Sequence, residues 1–389
     1  MASPYIKVNI MDLRLTPEQN ALREDIRAFV DDVIVPQASY NEQNEIFPKE
    51  ILTELGKRGY MGVIIPEKYG GMGADNVCYE IVCEETSRGC GSVGITVAAH
   101  NTLGTQQIYL TGNEEQKERW VPDLASGRKI GSWGLTEPMA GSDAGGLQTT
   151  AVKDGDEWVI NGSKVFITSG TEADIFTVMA VTEKGAGPKG ISAFVVERGN
   201  PGYRDGTKEN KMGLRSSTTS ELVFENCRVP DENRLGPVGK GFIGAMKILD
   251  SGRIGIGAMA LGIAQAAFDA SLEYAKNRKA FGKPIGKNQG IAFMISNMAM
   301  EIDAARLLLR RAAWNKDNKI PFTKEAAMGK LFASEIGTKV CANAIQIHGG
   351  HGYTTRFPVE RFYRDVKLCE IGEGTSEVQR IVISRQLGL

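Results

Sequence analysis

Hydrophobic positions change their period twice along the chain. Up to about residue 127 they recur at helical spacing: Leu22, Ile26, Phe29 and Val33 share one helix face. Thr16-Pro17-Glu18-Gln19 marks the start of that helix, with Thr16 as cap, Pro17 in the first turn and Gln19 closing a capping box. Residues 49–57, 77–87 and 114–124 read as further helices, and Gly70-Gly71-Met72-Gly73 breaks the pattern between two of them. From 129 to 233 the period shortens to that of strands. Runs at 158–160, 164–168, 175–181, 191–196 and 221–224 read as strands, with Asp154-Gly155 and Asn161-Gly162 as hairpin turns. From residue 235 the helical period returns, in long segments near 242–278, 289–316 and 324–348 that should pack as a bundle. The most apolar stretch, 254–268, is rich in Gly and Ala. It is too short by itself to span a bilayer and reads as a closely packed core helix.

This order predicts an α+β protein of three parts. They are an N-terminal α-helical domain (1–128), a middle antiparallel β domain (129–233) and a C-terminal four-helix bundle (234–389). A cleft where the β domain meets the helical layers is a natural cofactor site.

Charge and cysteine use then narrow the chemistry. Lys plus Arg number 46 against 47 Asp plus Glu, so there is no electrostatic reason to expect nucleic acid or an acidic membrane as partner. The six cysteines form no C-x-x-C pair and only three histidines could join them, so no metal site is expected. Scattered thiols suit a reducing compartment. The first ten residues carry one basic residue, Lys7, and no long apolar run. They resemble neither a secretory signal nor an Arg-rich transit peptide, so a cytoplasmic protein without membrane insertion is expected.

Five segments carry candidate chemistry, and each alone has a plainer structural reading. Leu135-Thr136-Glu137-Pro138-Met139-Ala140-Gly141-Ser142-Asp143 offers hydroxyls and free N–H groups to a ring edge or a phosphate, but Glu-Pro and Gly-Ser are also ordinary turn pairs. Val165-Phe166-Ile167-Thr168-Ser169-Gly170 could flank a flat aromatic cofactor, or be a half-buried strand. Arg278-Lys279-Ala280-Phe281-Gly282 supplies a forked cation for a diphosphate, or charges that complement a helix C-terminus. Gln346-Ile347-His348-Gly349-Gly350-His351-Gly352 lets backbone approach a phosphate, or simply stops a helix. Its two histidines lack the spacing of ligands on one helix face. In Glu370-Ile371-Gly372-Glu373-Gly374-Thr375-Ser376-Glu377, Glu373 lies between glycines where a ligand can come close and neighbouring side chains leave it mobile. Thr375 or Ser376 starts a last helix, with Ser376 and Gln379 at capping-box spacing. Taken alone, Glu373 reads as one more solvated carboxylate.

Together, in this order and spacing, the five segments resemble the acyl-CoA dehydrogenases, most closely the short-chain, butyryl-CoA members. The resemblance runs from the Thr16 helix to Arg380. It implies an α/β/α fold holding FAD between the β domain and the C-terminal bundle, with Glu373 as catalytic base. Trp133, Leu135, Thr136 and Ser142 would contact the flavin ring and ribityl chain, with Phe166, Ile167 and Thr168 on the other side of the ring. Thr375 to Glu377 would finish the site. Arg278 and Gln289, and Gln346 to Gly350 including Gly349, would reach the FAD of a neighbouring subunit, implying a homo-oligomer, usually a tetramer. Ser142, Asp250, Arg253 and Gly374 would contact the acyl-CoA, and an electron-transferring flavoprotein would take the electrons. An oxidase of the same fold and a non-catalytic acyl-CoA-binding relative are the alternatives.

Three positions refine that resemblance. Some branches of the family carry the base where this chain has Gly252, which leaves Glu373 as the candidate. Gly372 stands where many straight-chain enzymes have Tyr, which opens room for a branched or alicyclic acyl group. Phe166 replaces a common Trp, a change expected to keep flavin contact while weakening acceptor docking.

Overall fold

The computed structural model describes residues 11–389, so the first ten residues, read above for targeting signals, lie outside the described residues. The N-terminal layer is helical: α1 (Pro17–Phe29), α2 (Val35–Gln43), α3 (Lys49–Lys57), α4 (Asn76–Gly89), α5 (Gly91–Ala99), α6 (Gln107–Thr111) and α7 (Glu114–Ala125). The capping box at Thr16 forms as expected, its hydroxyl accepting from the Gln19 N–H at 3.2 Å while Gln19 Oε1 accepts from the Thr16 N–H at 3.0 Å. A π-helical turn, Val30–Ile34, joins α1 to α2 just ahead of Pro36, whose missing N–H cannot continue a regular α ladder. A second π-helical segment, His100–Gln106, joins α5 to α6 and is buried throughout.

The middle layer is an eight-stranded sheet made of β1 (Gly131–Gly134), β2 (Thr150–Asp154), β3 (Glu157–Thr168), β4 (Ile175–Val181), β5 (Ile191–Glu197), β6 (Tyr203–Lys208), β7 (Thr219–Pro230) and β8 (Arg234–Leu235). The order is β6-β7-β3-β2-β4-β5-β8, with β1 beside β4. Most pairings are antiparallel; β1 and β2 run parallel to β4. Asp154-Gly155 makes the expected hairpin, closed by the Asp154–Glu157 pair. Asn161-Gly162 does not turn. β3 runs straight through it with a register shift, Gly162 at φ 142°, and a side chain there would meet Thr149 Oγ1 at 2.5 Å. The glycine serves close packing rather than reversal. A second bulge, between Lys164 and Ile167, throws Phe166 out of the ladder at φ 58°.

The C-terminal layer holds α8 (Gly241–Asn277), a small hairpin of β9 (Lys279–Ala280) and β10 (Lys283–Pro284), α9 (Gln289–Asp317), α10 (Thr323–His348), α11 (Val359–Val366) and α12 (Ser376–Gln386). The apolar stretch 254–268 is only the middle of α8. The helix as a whole is long and apolar enough to cross a membrane by length and composition, yet 72% of its most apolar window is buried inside the protein. Its glycines explain how. A side chain at Gly255 would strike Tyr79 Oη at 2.2 Å, at Gly257 Leu309 Cδ2 at 2.3 Å, and at Gly262 the Glu84 carbonyl at 2.1 Å. Missing side chains thus let α4, α9 and α10 close around α8, which becomes the axis of the helical core.

Candidate active site

Glu373 sits in the short connection between α11 and α12. Its backbone is left-handed, φ 52°, and so is that of Gly374, φ 94°. A non-glycine residue in that region is strained by about 1–2 kcal/mol, so the surroundings must hold it. The Gly374 carbonyl accepts from Gln379 Nε2 at 2.8 Å and from Lys330 Nζ at 2.7 Å, and Gln379 also reaches the Glu373 carbonyl at 3.4 Å. Thr375 caps α12, accepting from the Val378 N–H at 3.3 Å. The Ser376–Gln379 capping box read from the sequence does not form, because the Gln379 amide is engaged by the turn.

The Glu373 side chain is not the mobile surface carboxylate that flanking glycines suggest. It lies over α8 at Gly252, where an added Cβ would come within 1.9 Å of Oε2. That oxygen is buried and has no hydrogen-bond partner among the described residues. Burial pushes the carboxyl up to about 7, against the opposing charges of Lys330 and Arg253. Burial likewise pushes the Lys330 ammonium down to about 8.

Beside Gly252, α8 presents a polar cluster. Arg253 Nη1 donates to Asp250 Oδ1, Thr323 Oγ1 donates to Asp250 Oδ2 at 2.7 Å, and Lys316 Nζ donates to Ser251 Oγ at 2.7 Å. Arg253 Nε is buried without a partner among the described residues. One residue earlier in the chain, Leu249 packs against the apolar cluster that includes Leu135 and that Trp133 also borders, which ties this end of α8 to the β domain. There the first two sequence segments meet. The Val165 N–H donates to the Thr136 carbonyl at 2.9 Å, and Ser132 Oγ donates to the Thr168 carbonyl at 2.7 Å. Trp133 Nε1 donates to Gln107. Ile167 is buried, Thr168 half-buried and Phe166 65% exposed. Ser142 is exposed, beyond a tight turn pairing Glu137 with Ala140. Thr375 is half-buried and Glu377 exposed at the start of α12, next to the Glu373 turn.

The remaining predicted residues gather elsewhere. Arg278 caps the far end of α8, roughly 38 Å along that helix from Gly252. The Arg278 carbonyl accepts from the Ile285 N–H at 2.8 Å, which folds the hairpin back and sets Gln289 at the start of α9. Tyr274, one turn before Arg278, stacks on His348 at 4.2 Å between ring centroids and lies 3.1 Å from His351 Nδ1. Arg278, Gln289, Gln346, Gly349 and Gly350 are therefore all exposed at one end of the bundle, and side chains at Gly349 and Gly350 would meet nothing within 4 Å. This end has open glycine backbone and a guanidinium with no partner among the described residues, the donor set that a diphosphate needs. The Glu373 end has an apolar wall and an unpaired buried carboxylate, which suits a ring and a reacting carbon.

Sequence models of the acyl-CoA dehydrogenase N-terminal, middle and C-terminal domains match residues 16–128, 132–227 and 239–388. The chain belongs to the acyl-CoA dehydrogenase family. It is 48% identical to the short-chain-specific acyl-CoA dehydrogenase of Clostridium acetobutylicum, over 97% of this chain and 100% of that one. Butyryl-CoA dehydrogenase from Megasphaera elsdenii superposes with a TM-score of 0.96 at 44% identity, covering 97% of this chain and 100% of that one. A chain in the structural work on the electron transferring flavoprotein of Acidaminococcus fermentans also superposes at 0.96, with 45% identity over 97% of this chain and 99% of that one. This acyl-CoA dehydrogenase is thus an FAD-dependent oxidoreductase with the family's three-domain fold.

Three features of the site escape a reading of the motifs. Lys330 and Gln379 hold the Glu373 turn. Lys164 and Glu137 form a buried ion pair at 2.6 Å beneath the Leu135–Thr136 segment. Lys330 did leave a trace, because it falls at helical spacing with Ala326, Ala333 and Gly337 on the buried stripe of α10, where a charge needs a reason.

Proposed function

We propose that this acyl-CoA dehydrogenase removes one hydrogen each from the α and β carbons of a short acyl-CoA thioester, with Glu373 taking the α-proton. The observation that carries this is the buried, unpartnered Glu373 Oε2 over the bare backbone of Gly252. A thioester α-hydrogen is weakly acidic, and a carboxylate pushed up to about 7 is a stronger base than an exposed one. Bound FAD supplies the acceptor for the β-hydrogen, which leaves as hydride. The Glu373 N–H donates no hydrogen bond among the described residues, so it is available to hold the thioester oxygen as negative charge develops there.

The remaining roles follow the same reading. Trp133, Leu135, Thr136, Ser142, Phe166, Ile167 and Thr168 surround the ring, with Thr375 and Glu377 closing it. Ser142, Asp250, Arg253 and Gly374 receive the acyl-CoA. Arg278, Gln289, Gln346, Gly349 and Gly350 lie too far along the bundle to serve a ring beside Glu373 of their own chain, and they serve a neighbour's FAD in a homotetramer. Support for assembly comes from α9, which exposes Phe293, Met300 and Leu307 at 58%, 63% and 56%, one residue every two turns. The acceptor is an electron-transferring flavoprotein, a reading supported by the near-identical fold seen in the Acidaminococcus work.

The pocket also takes branched or alicyclic acyl groups. The three atoms nearest a Cβ added at Gly372 all belong to Leu368, at 3.5–3.7 Å, so lack of room does not account for the glycine; on this reading the space a ring would fill is left to substrate. A panel of butyryl, isobutyryl, isovaleryl and cyclohexanecarboxyl thioesters tests both statements, read by anaerobic bleaching of the flavin and by dye reduction. Bleaching by butyryl-CoA and by at least one branched member is expected. No bleaching by any thioester would overturn the dehydrogenation, and bleaching by butyryl-CoA alone would overturn the breadth.

A further inference from the structure

Lys330 lies in the middle of α10 with its side chain fully shielded, among small residues that bring α8 close. A buried ammonium normally meets a carboxylate. This one gives its only hydrogen bond among the described residues to a backbone carbonyl, Gly374 O, at 2.7 Å. That carbonyl closes the left-handed Glu373–Gly374 turn, and the fully buried Gln379 amide secures it from the other side at 2.8 Å. The same turn aims the Glu373 carboxylate at Gly252, where Oε2 is left without a partner. We propose that Lys330 is a positioning residue for Glu373: its ammonium pins the turn through the Gly374 carbonyl, and its charge lets the buried carboxylate ionise in a dry cleft. This rests on Glu373 being the base.

The electrostatic part has a definite sign. Facing Glu373 are Lys330 from α10, Arg253 from α8, and Tyr79 and Cys83 from α4, the last two kept neutral by burial. Facing Lys330 are Glu373, Arg253, Cys369 and Glu370 from the turn after α11, and Glu377 from α12. Arg253 is already paired to Asp250, which leaves Lys330 as the cation without a carboxylate hydrogen-bonded to it. Burial favours the protonated acid and Lys330 opposes it. Losing the cation moves the ionisation of Glu373 to higher pH.

The test uses the FAD-loaded enzyme and the variants Lys330→Met, Lys330→Gln and Lys330→Arg. Infrared absorption of the protonated carboxyl, with Glu373→Gln as the subtraction, reads the titration of Glu373 directly. The pH profile of flavin bleaching by butyryl-CoA reads its consequence. Met and Gln should raise both midpoints by about one pH unit or more, and Arg should hold them near the parent. Should the Met variant fail to accumulate, Gln gives the same reading, since it is neutral and can still bond the Gly374 carbonyl. Unmoved midpoints in the neutral variants, with slower turnover at every pH, would overturn the proposal and leave Lys330 a packing residue. If no thioester bleaches the parent flavin while the infrared midpoint still follows residue 330, the dehydrogenation reading fails and the Lys330–Glu373 link stands.

Discussion

Two lysines among the described residues are wholly shielded from solvent, and they are used in opposite ways. Lys164, in the sheet, meets Glu137 Oε1 at 2.6 Å and the Leu135 carbonyl at 3.2 Å. Glu137 is completed by the N–H groups of Gln148 at 2.6 Å and Thr149 at 3.0 Å. Burial raises the Glu137 carboxyl, but the Lys164 charge and these bonds more than offset it, leaving Glu137 below the usual range. Lys330 has no such partner among the described residues, and the carboxylate nearest to it in role, Glu373, is pushed up to about 7 with an oxygen that no described residue bonds. Burial brings both ammonium groups down to about 8, so depth does not separate them. What separates them is completeness. The sheet pair answers each of its charges and so fixes shape, whereas the helical site leaves a carboxylate oxygen without a partner among the described residues, as the proposed base requires.

The sharpest way to break the comparison is Glu373→Gln. It keeps the size of the side chain and removes the base, so bleaching of the flavin by butyryl-CoA should slow by at least about a thousandfold. Bound FAD, read from the visible spectrum of the purified protein, should be unchanged. Near-normal bleaching would place the base elsewhere and remove the functional half of the contrast.

Lys164→Met tests the structural half. It leaves Glu137 its two N–H donors but no countercharge, and breaking a buried pair from one side costs about 3–5 kcal/mol. Chemical denaturation should show that loss, and the double change Lys164→Met with Glu137→Leu should recover much of it. The pH midpoint of flavin bleaching should stay with the parent, unlike that of the neutral Lys330 variants. A shifted midpoint would mean that the two buried lysines are not distinct in kind.

Gly252→Ala has a smaller effect and separates catalysis from stability. The three atoms nearest the new methyl all belong to Glu373, beginning with Oε2 at 1.9 Å, so only the base has to yield. Alanine gains about 1 kcal/mol over glycine within a helix. Turnover should fall about tenfold while thermal unfolding stays level or rises. A drop in melting temperature with turnover preserved would show that Glu373 does not rest against this glycine.

How much of this was legible beforehand differs by region for physical reasons. The period of the apolar positions located the long helices and the strands at 175–181 and 191–197 to within a residue or two, because burial in a layered fold imposes that period. Local turn signals did worse. Asn161-Gly162 carries a hairpin signature, yet Gly162 is there to pass Thr149. Ser376 and Gln379 have capping-box spacing, yet Thr375 caps and Gln379 serves the turn before it. Glu373 stood out as a candidate only because several motifs occurred together; alone, its flanking glycines suggested a free surface carboxylate. Lys330 left only the trace of a charge on an apolar stripe, and its partner was not legible, since only folding sets it against a carbonyl of a distant turn.

The smallest expected effect concerns Gly372. Tyrosine there needs no unusual backbone, since Gly372 is absent from the left-handed positions, and a Cβ would find only Leu368 nearby, at 3.5 Å or more. The substitution should therefore leave folding and the pH midpoint alone while a ring takes up space next to Glu373. Branched and alicyclic thioesters compete for that space and butyryl-CoA does so less. The ratio of kcat/KM for isobutyryl-CoA to that for butyryl-CoA should then fall by about tenfold, the value of roughly one methyl group in a shaped apolar pocket. On the proposed reading the Glu373 turn sets both limits: the Lys330–Gly374 bond would govern when the base is ready, and the bare backbone at 372 which acyl groups reach it. An unchanged ratio would detach the second from the first and place the control of branching on α4 or on the buried π-helical segment instead.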